Sequence, residues 1–590
     1  MSKREKKNSE GFNASSRTNI VPELRKELKV CSDTKKEQQA LAFINQGKTF
    51  EAEVIYRQLI SEGTANHITY ANLAAILGMQ GKTKELIGLL KVALNLEPDF
   101  PEAHYNLGVA LKKTGDLIGA IDSYNRAILL KSNFPEAFNS LGIALHEYGD
   151  LLNSISSYRQ ALTLNPNYAE AFNNLGVVLD EQDDLGSAID AFQQALGLNP
   201  SLPGVHTNLG NALQKCGDLL GCIACYEKAI ALTTNSLEAY NNLGIALKQQ
   251  GNIAASIDCF NHVIAIRPDC LDAHWNASLA LLLSGDYKNG WEKYECRIDR
   301  EKEISQLHAN PQCSFWSGNH LQKQDNLLLV SEQGLGDTLQ FMRYAITLKA
   351  RGFNVSLCAQ TKLHSLIKTS GIDPSPLSPS QANQVEEGVW MPLLSLPRYF
   401  EVSQSNPIFN EPYIKTSDPL IRKWKEIFMV EHKPVIGINW QGNKDIEKTG
   451  LFGRSLPLEA FAPIAMNSSI SLVSMQKGFG SEQLKDCSFK ERFSSCQEQI
   501  NDTWDFLETA AIIANCDLII TSDTSVAHLA GGMGKSTWLL LHHVPDWRWG
   551  LEGDASFWYP SMRLFRQEER GNWHDVMQRI ADLLREKFPD

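Results

Sequence analysis

Residues 517–530 combine the residue types and the spacing that could bind a phosphorylated ligand. Residues 517–521 form an apolar, β-branched run that predicts a buried strand of a parallel sheet. A polar loop, 522–525, follows and supplies N-cap residues for an apolar helical pattern that begins at Val526. A helix N terminus above the end of a parallel strand presents unpaired N–H groups and a positive dipole end, an arrangement that receives phosphate. The polar side chains of this stretch are those of Asp523, Thr524, Ser525 and His528.

Two glycine-rich motifs differ from the common phosphate-binding patterns. The segment GGMGKS (531–536) is not a P-loop, because the first glycine of that motif would fall at Leu529 and its lysine precedes a strand. Gly334 and Gly336 lie in a loop after a predicted strand and let the backbone approach a ligand. They do not form a dinucleotide fingerprint, because Leu339 stands at the third glycine position and no acidic residue ends the second strand.

The composition is that of an ordinary globular chain. With 590 residues, 43% apolar and 21% charged, it exceeds a single core and predicts two or three domains. The formal net charge of −12 supplies no basic field for nucleic acid or an anionic membrane. Residues 1–19 lack the apolar segment of a signal peptide, and no run is apolar and long enough to cross a bilayer. We therefore expect a cytoplasmic protein without a transmembrane segment, whose 12 cysteines are free thiols.

A period of 34 residues recurs between about residues 33 and 304, which predicts about eight helical hairpins. Each unit has a Leu-Gly pair that permits close helix approach, a turn glycine for a left-handed residue, and an aromatic residue that fills the gap to the next unit. The pattern resembles the tetratricopeptide repeat and implies an α-solenoid with a concave groove. The Leu-Gly pairs lie at 107–108, 141–142, 175–176, 209–210 and 243–244.

One asparagine column directly precedes the buried leucine of this pair. A ladder of amides along the groove could pair with the main chain of an extended polypeptide, because each amide both donates and accepts. The alternative is that each asparagine satisfies a neighbouring helix end. Similar asparagine ladders occur in O-linked N-acetylglucosamine transferases, and we expect a polypeptide or glycan-bearing acceptor here. The column comprises Asn72, Asn106, Asn174, Asn208, Asn242 and Asn276, interrupted by Ser140.

The hydrophobic period changes after the repeats, where strand and helix patterns alternate. A βαβ unit is predicted from a strand over 326–331, a helix over 338–351 and a strand over 354–359, and a second α/β set starts near Val435. Two such lobes with a cleft between them are typical of nucleotide-sugar enzymes of the GT-B fold. We expect a polar tail over 1–32, repeats over 33–304, a linker over 305–325, and α/β lobes over 326–412 and 413–590.

Five segments of the second half resemble the family 9 glycosyltransferases, the heptosyltransferase-like group, and above all the bacterial proteins that fuse this domain to tetratricopeptide repeats. The resemblance covers roughly residues 311–590. The segments are EQGLGDTLQFMRY (332–344), INWQGN (438–443), GRSLPLEAF (453–461), TAAIIANCDLIITSDTSVAHLAGGMG (509–534) and DWRWGLEGDASFWYPSMRLFRQ (546–567).

This resemblance implies an inverting, metal-independent glycosyltransferase with a nucleotide-sugar donor. Asp337 would be the base that takes the acceptor hydroxyl proton, and Arg454 would contact the diphosphate where relatives often have lysine. Positive charge from an arginine and a helix N terminus suits a diphosphate leaving group. The sequence contains no Asp-x-Asp pair, and we expect no metal or other cofactor. The residues expected at the donor site are Gly334, Gly336, Trp440, Arg454, Asp523, Thr524, Ser525 and His528.

Other interpretations remain open. The first lobe is short for the family, so either the repeats bind the acceptor or the domain has lost its activity. The chain would then be an interaction scaffold, which a cleft filled by Trp547 or Arg454 would favour. Transfer to lipopolysaccharide or another envelope glycan is a third interpretation. Four aromatic residues near the C terminus could stack on a base or sugar but are more typical of packing: Trp547, Trp549, Trp558 and Tyr559.

Overall fold

The computed structural model describes residues 33–300, 307–316, 325–442 and 453–589, and the chain divides into two compact units, 1–234 and 235–590. The tail expected over 1–32 lies outside the described residues, as does much of the expected linker. The expected boundary near residue 304 does not coincide with the division between the units, because the last repeats belong to the second unit.

The described part of the first unit consists of helical hairpins. After helical residues 33–45, its helices are α1 (Thr49–Ser61), α2 (His67–Met79), α3 (Thr83–Leu96), α4 (Pro101–Lys113), α5 (Leu117–Leu130), α6 (Pro135–Tyr148), α7 (Leu151–Leu164), α8 (Ala169–Glu181), α9 (Leu185–Leu198), α10 (Val205–Lys215) and α11 (Leu219–Leu232).

The turns inside the hairpins follow from their glycines. Gly115 and Gly149 have φ angles of 85° and 92°, the left-handed conformation that glycine adopts without a steric penalty. Asp183 replaces the turn glycine in one repeat and has a φ of 65°, which aspartate tolerates better than most side chains. The next residue in three of these turns is an aspartate that caps the following helix through its N3 N–H: Asp116, Asp150 and Asp184.

The Leu-Gly and aromatic columns pack against each other. A Cβ added at Gly108 would lie 2.6 Å from the ring of Tyr124, and one added at Gly176 would lie 2.6 Å from Phe192. These rings are about 1% exposed, so the glycine is the space into which the aromatic side chain fits. The glycine and aromatic columns of one hairpin therefore pack against each other, a contact within the repeat and not the predicted one to the next unit.

The second unit begins with further hairpins, α12 (Leu237–Gln250), α13 (Ile253–Ile266), α14 (Leu271–Ser284), α15 (Tyr287–Tyr294) and α16 (Arg297–Arg300). The α/β part then contains β1 (Ser314–Phe315), β2 (Asn326–Val330), α17 (Leu335–Phe341), α18 (Arg343–Ala350), β3 (Asn354–Cys358), α19 (His364–Thr369), α20 (Pro379–Ala382), β4 (Val389–Pro392), α21 (Leu396–Tyr399), α22 (Asp418–Phe428), β5 (Val435–Asn439), α23 (Ala462–Ala465), β6 (Ser471–Ser474), α24 (Gln497–Asn501), α25 (Phe506–Asn515), β7 (Leu518–Ser522), α26 (Ser525–Gly532), β8 (Thr537–Leu541), β9 (Met562–Arg566) and α27 (His574–Lys587).

The strands form two parallel sheets, one in the order β1-β4-β2-β3 and one in the order β6-β5-β7-β8-β9. Part of the expected linker is therefore structured, because Ser314 and Phe315 pair with β4. The helix expected over 338–351 starts earlier and is split at Met342 into α17 and α18. The central strands of each sheet are buried as expected of parallel pairing, β2 in the first sheet and β5 and β7 in the second.

Within the second unit, the last repeat is built into the α/β part. Arg297 of α16 donates two hydrogen bonds to the carboxylate of Glu332, at 2.9 and 3.0 Å, and both side chains are almost fully buried. The indole N–H of Trp291 donates to the Val402 carbonyl oxygen at 2.8 Å. The loop that follows Glu332 is consequently anchored at its base by a repeat residue.

Across the described ranges, every helix is too short or too polar to span a bilayer.

Candidate functional site

A cavity of about 1650 Å³ lies in the second unit, where the carboxyl ends of strands from both sheets meet. It is lined by Gly334 to Asp337 after β2, by Gln476 and Lys477 after β6, and by Asp523 to Ser525 after β7. Ligands of open parallel sheets bind at this edge, beside the point where the strand order reverses. In the second sheet that reversal falls between the adjacent strands β5 and β7, whose connections run to opposite sides of the sheet.

Most of the residues expected at the site do line the cavity. Trp440 does not, because its side chain is fully buried in an apolar cluster that includes Leu456 and Phe461. The four C-terminal aromatic residues are at most 4% exposed, which fits packing better than stacking on a ligand. The expected residues that line the cavity are Gly334, Gly336, Asp337, Arg454, Asp523, Thr524, Ser525, His528 and Asn276.

Asp337 is positioned by its own loop. Its Oδ2 accepts a hydrogen bond from the Gly334 N–H at 2.8 Å, which fixes the carboxylate at the start of α17. Its Oδ1 accepts a hydrogen bond from Arg548. Burial raises the pKa of Asp337, while the Arg548 charge and the Gly334 N–H act in the opposite direction.

The first turns of α17 and α26, which follow strands of the two different sheets, come into direct contact at Gly336 and His528. A Cβ at Gly336 would lie 2.9 Å from the imidazole Cδ2 of His528. Any side chain at residue 336 would therefore push the two loops apart, and the glycine is required for this approach. The contact places Asp337 and the 523–528 loop on one cavity wall.

The 523–528 loop is held by β5 and is strongly buried. Thr524 Oγ1 donates to Asn439 Oδ1 at 2.9 Å, which fixes the N-cap position of α26. Burial and the neighbouring Asp546 raise the pKa of Asp523 to about 6, against the influence of Arg454. Burial and nearby arginines lower the pKa of His528, so its imidazole is neutral at pH 7.

Arg548 is a site residue that the sequence analysis missed. Its Nη1 donates to Asp546 Oδ1 at 2.8 Å, its Nε donates to Gln340 Oε1 at 2.6 Å, and its Nη2 bonds Asp337. The side chain is 9% exposed and lines the cavity. Arg548 lies in the segment 546–567, whose resemblance to the family was the feature that could have drawn attention to it. Nothing in the sequence of that segment relates Arg548 to Asp337.

The described cavity wall is cationic although the chain is acidic overall. Seven cationic side chains and four carboxylates line it, so the local charge is opposite in sign to the net charge of −12. Such a wall attracts an anionic ligand. The cations are Lys248, Arg300, Lys362, Arg454, Lys477, Arg548 and Arg570, and the carboxylates are Asp272, Asp337, Asp523 and Asp546.

Repeat helices α12 and α14 form another part of the same wall. Asn276 Nδ2 donates to Asn241 Oδ1 at 3.1 Å, and both residues line the cavity. Lys248 also lines it, and burial lowers the pKa of its ammonium group against the opposing charge of Asp546. The cavity therefore joins the asparagine column to the Asp337 loop within one unit.

In the first unit the asparagine column links successive repeats. Asn174 Nδ2 donates to Asn139 Oδ1 at 3.1 Å, and Asn208 Nδ2 donates to Asn173 Oδ1 at 3.0 Å. Asn72 differs, since its amide donates to Tyr56 at 3.1 Å. These bonds agree in part with the alternative that the amides satisfy neighbouring helices. In each of them the amide nitrogen is the donor, and the carbonyl oxygen takes no part in that bond.

Comparison with known proteins identifies the repeats. Tetratricopeptide-repeat family models match residues 101–134, 144–183, 169–202 and 202–269. The predicted tetratricopeptide repeats are therefore confirmed over these segments. Repeats of this kind form surfaces suited to protein interaction.

One curated relative and several solved structures are similar to parts of the chain. Protein FlbA of Caulobacter vibrioides is 26% identical over 336 residues, and the match spans 52% of this chain and 53% of that protein, so about half of each. MamA is 27% identical over 27% of this chain and 93% of its own, with a TM-score of 0.26. The hetero-tetramer Cut9-Hcn1 is 20% identical over 41% of this chain and 48% of its own, with a TM-score of 0.35. These TM-scores are too low to carry an argument about the arrangement of the chain.

Proposed function

We propose that the second unit is a glycosyltransferase of GT-B type, related to family 9, that transfers a sugar from a nucleotide-sugar donor with inversion. The observation that carries this proposal is the contact between the Asp337 loop and the 523–528 loop at Gly336 and His528. Asp337 and residues 523–528, which follow strands of different sheets, line one cavity, and this supports a base and a phosphate site there.

The donor site in this proposal is the N terminus of α26 together with Arg454. The first N–H groups of a helix and an arginine both stabilise the negative charge that a departing nucleoside diphosphate acquires. The guanidinium of Arg454 lies so close to Gly442 that a Cβ there would come within 3 Å of its atoms. Gly442 thereby leaves room for the arginine beside the strand end, and metal ions are not required as charge partners.

The transfer step follows from these positions. Asp337 takes the proton from an acceptor hydroxyl as the hydroxyl oxygen forms a bond to the anomeric carbon. The bond between that carbon and the diphosphate oxygen breaks, and the diphosphate leaves with the electron pair toward Arg454 and α26. Attack opposite to the leaving group inverts the anomeric configuration.

The acceptor in this proposal is a polypeptide or a glycan carried on one. Asn241 and Asn276 line the cavity together with Asp337. An extended chain held by the asparagine column of the second unit would therefore enter the cavity that contains the base. The tetratricopeptide repeats, which suit protein interaction, support this type of acceptor.

The first test is a thermal-shift screen of the whole protein against nucleoside diphosphates and nucleotide sugars, with EDTA and in parallel with Mg²⁺. A ligand at 100 times its Kd should add about 2.7 kcal/mol to the unit that binds it. We expect one nucleotide class to shift the melting temperature in EDTA, and Arg454→Ala to remove that shift. Arg563→Ala, a surface change outside the cavity wall, should retain it. The absence of any shift in the wild-type protein would refute the donor site.

The acceptor is tested by changing Asn174, Asn208 and Asn242 together to alanine. Capture of protein partners should then be lost. The matched control changes three exposed residues of another column with the same spacing, Gln160, Gln194 and Lys228, to alanine. Equal partner capture by both triple variants would show that the asparagine column is structural.

An interaction scaffold is the second candidate, and one observation favours it. Both carboxylate oxygens of Asp337 already accept hydrogen bonds, from Gly334 and Arg548, and pairing with a guanidinium makes a carboxylate a weaker base toward an acceptor hydroxyl. A scaffold would retain partner capture but bind no nucleotide. The open cavity of about 1650 Å³ favours the enzyme, because neither Trp547 nor Arg454 fills it.

A further inference from the structure

Arg548 lies between the candidate base and the candidate donor loop. It belongs to the 3₁₀ turn Trp547–Trp549, whose N-cap Asp546 accepts from the Arg548 N–H. On one side the guanidinium bonds Asp337, and on another it bonds Asp546 at 2.8 Å. The side chain is packed over Trp547, with its guanidinium carbon 4.3 Å from a ring centroid, so its position is well defined.

The turn that carries Arg548 contacts the donor segment, because the rings of Trp549 and His528 are stacked with their centroids 5.6 Å apart. The charge of Arg548 contributes to the lowered pKa of His528 and opposes the rise in the pKa of Asp523. Asp546 also raises the pKa of Asp523, and the two carboxylates line the same cavity as Arg548. Arg548 therefore belongs to a turn that contacts both halves of the site.

We propose that Arg548 couples donor binding to the release of Asp337: without donor it occupies the carboxylate, and the diphosphate of an incoming donor draws its Nη2 away. This inference rests on the proposed glycosyltransferase function and adds a regulation to that site. It makes Arg548 a positioning residue that enforces binding of the donor before proton transfer.

The chemistry of the groups favours this exchange. A diphosphate offers several anionic oxygens to a planar guanidinium and can be bound in a bidentate manner, whereas Asp337 accepts from only one nitrogen. Asp546 and Gln340 bond the other nitrogens and can retain the side chain during a small rotation. Asp337 would keep its bond from the Gly334 N–H, which holds Oδ2 while Oδ1 becomes available to a hydroxyl.

Binding of inorganic pyrophosphate and of ADP, GDP, UDP and CDP, measured by isothermal titration calorimetry, tests this coupling without an acceptor. Asp337→Asn removes the competing carboxylate, so we expect the affinity for the diphosphates to rise about three- to tenfold. Arg548→Gln should lower it about 10- to 150-fold, since a hydrogen bond between charged groups contributes about 1.5–3 kcal/mol. Arg548→Lys should recover part of that loss.

The double variant separates coupling from simple charge repulsion. If Asp337 acts only by repelling anions, Asp337→Asn will raise affinity equally in the Arg548→Gln background. If it acts by competing for Arg548, the gain will vanish in the double variant. Asp554→Asn, which removes the partner of Arg563 outside the cavity, is the matched control and should leave affinity unchanged.

The outcomes also separate this inference from the proposed function. No binding of any diphosphate to the wild-type protein refutes both. Binding to the wild-type protein with no gain in Asp337→Asn, or with a gain that persists in the double variant, refutes the coupling alone. Melting temperatures confirm that the variants are folded, and if Arg548→Gln is unfolded, Arg548→Lys takes its place in the cycle.

Discussion

Replacement of Arg297 by methionine should destabilise the second unit strongly. The Glu332 carboxylate is fully buried and accepts two hydrogen bonds from Arg297, at 2.9 and 3.0 Å, and one from the Leu394 N–H at 3.0 Å. Methionine preserves the volume of the stem but leaves the carboxylate without its cationic partner. Breaking a buried pair in this way costs about 3–5 kcal/mol. For a unit of this size that corresponds to a loss of roughly 4–7 °C in melting temperature.

The assay is differential scanning calorimetry of the whole protein, in which the transition of the second unit is the one that Arg297→Met moves to lower temperature. Arg300→Met is the matched control, because it lies in the same helix and its partner Asp272 is 64% exposed. Exposed pairs contribute about 0.2–1 kcal/mol, so the control should shift the transition by at most about 2 °C.

The double variant Arg297→Met, Glu332→Leu tests the cause. If the penalty comes from an uncompensated buried charge, replacing that charge by an apolar side chain should recover most of the lost stability. A double variant that is less stable than Arg297→Met alone would refute the reasoning. A loss below 1 kcal/mol in Arg297→Met would refute it as well, because it would mean that water reaches Glu332.

Three further predictions concern glycine packing and the site. Gly176→Ala should lower the unfolding free energy, measured by chemical denaturation, by about 1–3 kcal/mol, because its Cβ would meet the Phe192 ring at 2.6 Å. Gly197→Ala is the control: it has open space around it and should raise the unfolding free energy by about 0.5–1 kcal/mol. Asp523→Asn should raise the melting temperature at pH 7.5, and the advantage should shrink toward pH 4. The folded pKa of about 6 exceeds the ordinary aspartate value of 3.8, so burying the charged carboxylate costs most above pH 6, and a constant advantage would contradict this. Gly336→Ala should abolish diphosphate-dependent thermal shifts by separating the loops at His528; an unchanged shift would show that the contact is not needed for donor binding.

The repeats could be predicted from sequence because their contacts are local. Gly108 and Tyr124 are 16 positions apart and meet in every repeat of that register, so the period of the sequence reports the packing. Asp183 fits the same logic, since it adopts the left-handed conformation of the glycine it replaces. Neighbouring residues along the chain determine these features.

The cavity wall could be predicted only in part, because it is assembled from distant segments. Residues after β2 and β7 were expected together on the basis of family resemblance, and both loops line the cavity. The bond between Arg548 and Asp337 joins residues 211 positions apart, and no local pattern encodes it. Trp440 shows the converse: it lies in a recognisable motif next to the site, yet the strand that precedes it directs its side chain into the core.

Strand β1 was missed for a different physical reason. Its two residues are exposed and adjoin an irregular segment, so they show neither the apolar run nor the alternation by which strands are recognised. Pairing with β4 supplies the hydrogen bonds that the local sequence does not predict. Strand β1 of the first sheet therefore lies in a segment whose composition is typical of a linker.

The asparagine column shows how a structural and a binding role can coexist. In Asn174, Asn208 and Asn276 the amide nitrogen donates to an asparagine 35 positions earlier, which fixes the orientation of the side chain. A bond through the nitrogen directs the carbonyl oxygen away from the preceding repeat, where it can accept from a peptide N–H. An amide oriented in advance also loses less conformational entropy when a ligand binds. The bond between repeats is therefore compatible with both roles, because it would also improve the binding of an extended chain by the column. Substitution of Asn173, the acceptor of the Asn208 bond, by alanine should weaken that binding without removing a residue of the column.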